Sequence, residues 1–195
     1  MAVEADKSAR IVEAMRSSVA QRGVAGSTFD HVAREAGVSR GLLHYYFGSK
    51  EQLLVEVVRR DCDLRMAVLD EQLAGAETAE DFLSLLVFSL EELVRNEPEF
   101  FTLIFEVFTL SRRNAEIAAE FGELMRRTRE HVAELLAAKQ AAGVLTLAGE
   151  PEAVAEVLFS LGDGVAMRML AEPQRDWSAT IAAGVAAVRH LLSAP

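Results

Sequence analysis

Residues Ser27–Glu51 read STFDHVAREAGVSRGLLHYYFGSKE, and the order of caps and breakers in this stretch sets its local structure. Ser27 or Thr28 can cap a short helix, and Asp30 stands three residues after Ser27 in capping-box register. That helix shows Val32, Ala33 and Ala36 on one side and stops at Gly37. A second short helix starts at Ser39 and runs to about Phe47, with Leu43 and Phe47 as its buried pair. Two short helices joined by a tight Ala-Gly-Val turn form a helix-turn-helix. Gly48-Ser49-Lys50-Glu51 is a break followed by a fresh cap, which opens a longer helix to about Leu73.

Packing Val32, Ala33, Val38, Leu43 and Phe47 inward leaves Arg40, Gly41, Leu42, His44 and Tyr45 on or beside the outward surface of the second short helix. Such a helix fits the ~12 Å major groove of DNA. Arg40 can pair bidentately with guanine or clamp a phosphate, and Gly41 lets the helix approach the sugar-phosphate wall closely. Tyr45 and His44 can donate to phosphate oxygens. Lys50 adds a cation to the positive N-terminal end of the following helix, a favourable phosphate seat, and Thr28 or Ser27 offers the same at the first short helix.

The stretch resembles the TetR family of bacterial transcriptional repressors. Thr28, Val32, Ala33, Ala36, Gly37, Val38, Ser39, Arg40, Gly41, Leu43, Tyr46, Phe47, Ser49, Lys50, Glu51 and Leu53 stand where the family's hallmark pattern places them. The resemblance adds Ser39 and Tyr46 to the DNA-contact set. Two positions depart from the pattern. The usual Tyr after the Leu is His44, so the backbone grip shifts toward Tyr45, and an imidazole with an ordinary pKa of ~6.5 brings a modest pH dependence. The residue after Gly41, often Thr, is Leu42, which either meets a thymine methyl or packs against the following helix.

Outward from this segment, the rest of the chain reads as helix. Ile11, Met15 and Val19 mark one face of a helix over about residues 7–22, closed by Gly23. Helical spacing continues over residues 79–95, 99–110 and 114–141. Pro151 opens a further helix to about Leu170, and Asp176 can cap a last one carrying Ile181, Val185, Val188 and Leu192 in line. With no alternating strand pattern and no repeat, the expectation is an all-α chain of about nine helices. The resemblance implies two domains, a DNA-binding helix-turn-helix over residues 1–50 and an effector-binding and dimerisation domain over residues 51–195.

Composition bounds the function. The 195 residues are 51% hydrophobic and 26% charged, an ordinary globular mix. No apolar run approaches the ~18 residues of a membrane span, and Glu4, Asp6, Arg10 and Glu13 interrupt the place of a signal peptide's apolar region. One cysteine, Cys62, excludes an internal disulfide, and a cytoplasmic protein without membrane contact is expected. The net charge is −10, yet residues 1–50 hold seven basic against five acidic side chains, a balance of +2, leaving −12 on residues 51–195. That asymmetry suits a head that meets a polyanion on a body that repels it.

Ser, His and Asp residues show no nucleophile-elbow or metal-ligand spacing, and no phosphate-cradling glycine loop occurs. No enzyme activity, catalytic residue, metal ligand or cofactor is expected. Asp163 lies on an apolar helix face with Phe159, Ala166, Met167 and Leu170, between Gly162 and Gly164. An unpaired buried charge is costly, so Asp163 is either a structural or interface group or the acid of a ligand cavity. Its partner would be Arg168 of a neighbouring chain, a backbone donor or a cationic ligand. Glu106 belongs to a polar stripe, His131 reads as a hydrogen-bonded structural histidine, and Cys62 as a small buried apolar group.

Met66, Phe101, Phe105, Phe108, Phe121, Met125, Phe159 and Met167 are core by default. The resemblance raises the expectation that some of them, with Asp163, line the cavity of a small apolar or amphipathic effector. It also implies a homodimer on a double-stranded operator, joined through the last two helices. There Ser160, Gly164, Arg168, Ile181, Gly184, Val185 and Val188, with Ala182, Ala183, Ala186 and Ala187 of the alanine-rich last helix, are the expected interface residues.

Overall fold

In the computed structural model, which describes residues 2–193, the backbone is almost wholly helical. The outer limits of the two expected domains, Met1 and Ala194–Pro195, lie outside the described residues. Among the described residues the elements run α1 (Ala2–Gly26), α2 (Phe29–Ala36), α3 (Arg40–Phe47), α4 (Lys50–Ala74), α5 (Ala79–Asn96), α6 (Glu99–Ser111), α7 (Ala115–Ala141), α8 (Pro151–Ala171) and α9 (Ser178–Leu192). The all-α expectation of about nine helices is met. Among the described residues, the one β-type pairing is an isolated bridge between Thr146 and Ser193.

The chain divides into two compact units, one up to Cys62 together with Thr102–Leu124, the other Asp63–Phe101 with the chain from Met125 onward. In the first unit, Ile11, Met15, Val32, Leu43, Leu53 and Val57 are completely buried. Gly23, at φ 69° and ψ 171°, breaks α1 where the sequence placed its end, and one further turn follows. Thr28 is the cap of α2, accepting from the His31 amide at 3.3 Å. The expected Ser27–Asp30 capping box does not form, because Ser27 is fully buried and donates its hydroxyl to the Gly23 carbonyl at 2.8 Å. Gly37, at φ 66° and ψ 38°, closes α2 by donating to Ala33 and Arg34 carbonyls. Ser39 then caps α3 by accepting from the Leu42 amide. Leu43 is buried as expected, whereas its proposed pair Phe47 is only half-buried, at the last position of α3 where the chain turns outward.

Polar ties bind α1 to the elements around it. Arg10 donates to the Ala36 carbonyl at the end of α2. Arg16 pairs with the buried Asp61 of α4 at 3.4 Å. Arg60 of α4 reaches Ser8 at 2.9 Å, and Glu56 gathers both Arg59 and Arg60 at 2.7 Å. Burial works against ionisation of Glu56, but hydrogen bonds and charge from these two arginines prevail and hold its carboxyl below the ordinary range.

The second unit packs α5 against α8 and α9 around Leu73, Phe82, Leu83, Leu136, Leu145, Ala155 and Leu192. Thr78 and Asp81 form a full capping box at the start of α5. Asp176 lies just outside α9 and accepts from the Ser178 amide at 3.0 Å, which with the Ser178 hydroxyl lowers its carboxyl pKa. His131 bonds Asp70 at 2.8 Å, the structural role expected of it, and Cys62 is buried.

Candidate functional site

The outward face of α3 is polar over an apolar underside. Arg40, Gly41, His44 and Tyr45 are exposed, Tyr45 at 76%, while Leu43 beneath them has no exposure at all. Leu42 and Tyr46 are half-buried. This is the division the helical spacing predicts, and Leu42 sits at the edge of the face.

Arg40 and His44 have defined polar partners within the protein. Arg40 points one guanidinium nitrogen, Nη1, at both carboxylate oxygens of Asp30 on α2, 3.4 Å from each. The His44 ring packs edge-on against Phe29 at 4.8 Å, and its Nδ1 lies 2.9 Å from the Gly48 carbonyl. A carbonyl only accepts, so Nδ1 carries the hydrogen and the neutral ring presents Nε2 as an acceptor. The expected donation from His44 to a phosphate therefore requires the protonated imidazolium. Thr28 and Ser39 commit their oxygens to backbone amides at the helix starts, which leaves each hydroxyl hydrogen available to an acceptor outside.

Two expected contacts change character. Ser27 has no exposed surface, so its hydroxyl serves the α1–α2 turn and not a phosphate. Lys50 is half-buried and its ammonium donates to the Val24 carbonyl, tying the start of α4 to that same turn. It keeps two further N–H donors at the N-terminal end of α4.

Gly41 carries no left-handed backbone angle, unlike Gly37 and Gly48, and a methyl group added there would meet nothing nearer than Ser39 Oγ at 3.9 Å. Nothing inside the protein demands glycine at this place.

A groove of about 550 Å³ opens beside the end of α3. Tyr46, Phe47, Gly48, Ser49, Gln52 and Glu56 line it with Glu116 and Glu120 from the first turns of α7. The sequence did not reveal it, because its walls come from segments some 65 residues apart.

The residues expected around an effector fall in both units. Phe105, Phe108 and Phe121 belong to the first, with Phe108 and Phe121 rings 6.4 Å apart. Met66, Phe101, Met125, Phe159, Asp163 and Met167 belong to the second, where Met66 and Phe159 pack on the same core and Phe101 is 2% exposed. The expectation that all these aromatics and methionines are core fails for Phe108 and Met167, which are half exposed on the outer stripes of α6 and α8. Asp163 is half-buried and has no hydrogen-bond or ion-pair partner among the described residues. Burial, helped by the like charge of Glu156, raises its carboxyl pKa.

On α8, Ser160 and Arg168 face outward, and the space before Gly164 is open. On α9, Val185 and Val188 of the expected interface are partly buried and pack on the core of their own unit. Ile181 and Gly184 are half-buried beside them. Ala182, Ala183, Ala186 and Ala187, expected at the same interface, are exposed together with Ala179, Arg189 and His190. Among the described residues, no helix is long and apolar enough to cross a membrane.

A model of the bacterial regulatory proteins of the tetR family matches residues 11–57, and one of the C-terminal part of BetI-type transcriptional repressors matches residues 79–194. The transcriptional regulator BetI of Rhizobium meliloti is 29% identical over 161 residues, 81% of this chain and 75% of that protein. BetI of Agrobacterium fabrum is 47% identical over 49 residues, a match spanning 25% of this chain and 24% of the relative. Among solved structures, Salmonella enterica GusR aligns at TM-score 0.74 and 21% identity, covering 96% of this chain and 95% of its own. A Saccharomonospora viridis transcriptional regulator in complex with choline aligns at 0.71 and 22%, covering 94% of each chain. FadR of Bacillus subtilis in complex with stearoyl-CoA aligns at 0.69 and 18%, covering 95% and 98%. These alignments establish a shared fold.

Proposed function

The chain belongs to the TetR family of bacterial transcriptional regulators, with a BetI-type C-terminal region, and we propose that it represses by binding a palindromic operator as a dimer and is released by a small apolar or amphipathic effector. It is a regulator and not an enzyme. The observation that carries the reading is the outward face of α3, where Arg40, Gly41, His44 and Tyr45 stand over the buried Leu43. Residues 1–50 bind DNA and residues 51–195 dimerise and take the effector. Each protomer inserts α3 into one half-site, and the two helices must stand ~34–36 Å apart or a multiple of that distance. The alanine face of α9, with Ser160 and Gly164 on α8, supports close pairing with a second copy. An effector shifts the equilibrium only by preferring the released conformation.

Replacing Arg40 with alanine should weaken binding to a duplex enriched by the wild-type protein from randomised DNA by about 1–3 kcal/mol. Undiminished affinity in a fluorescence-anisotropy titration overturns the assignment of α3 as the reading helix. The dimer is checked by sedimentation equilibrium; a monomer at micromolar concentration removes the paired half-sites.

The unpartnered carboxylate of Asp163 favours an effector with a cationic end, for which choline, the ligand of the Saccharomonospora regulator, is the first probe. Burial favours the protonated form of Asp163, so its ionisation at neutral pH lowers stability. The stability it lends is complete below the ordinary carboxylate range and is lost as pH rises through its elevated pKa. Asp163→Asn should therefore raise Tm by a few degrees at neutral pH in the absence of effector, with the gain vanishing in acid. Differential scanning calorimetry across pH reads this directly, and an unchanged or lower Tm at pH 7 refutes it.

A further inference from the structure

The geometry of α2 against α3 points to Asp30 as a determinant of sequence specificity, a positioning residue that aims Arg40 at base edges and holds it back from phosphates; this inference rests on the DNA-binding reading above. Asp30 stands in the first turn of α2, yet Thr28 already supplies the cap, so the carboxylate is not needed there. It reaches instead across to α3 and places both oxygens 3.4 Å from Arg40 Nη1. Both side chains are about 60% exposed, and an ion pair so open to water adds little to folding. Its consequence lies in direction.

With Nη1 held by Asp30, the edge formed by Nη2 and Nε has no partner among the described residues. That edge carries two parallel N–H donors, the set that meets O6 and N7 of guanine bidentately. An arginine without such a brace has a long flexible stem and settles on whichever phosphate is nearest, a contact that carries no sequence information. The carboxylate also cancels much of the attraction between this guanidinium and the backbone, and is itself repelled by phosphates. Asp30 thus exchanges general affinity for discrimination.

The test uses full-length wild type, Asp30→Asn, Arg40→Ala and the double variant. The probes are a duplex of about 30 base pairs enriched by wild type from randomised DNA and a scrambled duplex of the same composition, titrated at several salt concentrations. Asp30→Asn should bind the scrambled duplex a few-fold more tightly and the enriched duplex more weakly. The ratio of the two affinities should then fall roughly tenfold, within the span of one bidentate arginine–guanine contact. The salt slope on scrambled DNA should steepen by about one unit as Arg40 takes up a phosphate. Both changes should vanish when Arg40 is already alanine.

A ratio unaltered by Asp30→Asn, or altered equally without Arg40, overturns the inference and leaves the DNA-binding reading intact. Failure of wild type to enrich any duplex overturns both.

Discussion

Gly41→Leu should leave Tm at or above that of the wild type while lowering affinity for the enriched duplex by about a hundredfold. The two halves of that result have separate causes. Within the protein, Gly41 has ordinary helical backbone, and an added Cβ finds only Ser39 Oγ at 3.9 Å. Leucine is favoured over glycine in a helix by nearly 1 kcal/mol, so folding gains or stays level. Against DNA, the same position lies between Arg40 and Leu42 on the exposed side of α3, where an extra isobutyl group props the helix off the groove wall. Overfilling a close-packed contact costs about 1–3 kcal/mol, and displacement of Arg40 from its base edge adds to it. Circular dichroism melting and anisotropy titration on one preparation separate the terms. Full affinity in the leucine variant contradicts close docking of α3.

Leu43→Ala should do the opposite, unfolding the head and losing DNA with it. Leu43 has no exposed surface and lies beneath the polar face of α3 in the unit that also buries Ile11, Met15, Val32 and Leu53. Truncation removes transfer free energy and leaves a cavity, together about 3 kcal/mol within a range of 2–5 kcal/mol. Urea denaturation followed by circular dichroism measures the loss. A destabilisation under 1 kcal/mol means that α3 is not held from beneath.

The head was legible because its signals are local. Thr28, Gly37, Ser39 and Gly48 start and stop two short helices within their own neighbourhoods, and a helical period sorts Leu43 from Arg40. What escaped depends on distant chain. Lys50 finds a carbonyl at Val24, 26 positions earlier, and Asp30 gives up its capping register for Arg40, ten positions on. The groove beside Phe47 needs α7 to exist at all. On α9, alanines and valines are both apolar, and the expected interface took in both; Val185 and Val188 are longer and pack on the core of their own unit.

The Arg16–Asp61 pair sets the mechanics of the head. With Asp61 buried and Arg16 half-buried, the pair resists sliding, since separation strands a carboxylate away from water. Together with Arg60 on Ser8 and Lys50 on Val24, it clamps the first half of α4 to α1 at both ends. The thirteen residues from Lys50 to Cys62 therefore act as a stiff lever about 20 Å long, with α3 riding on its tip.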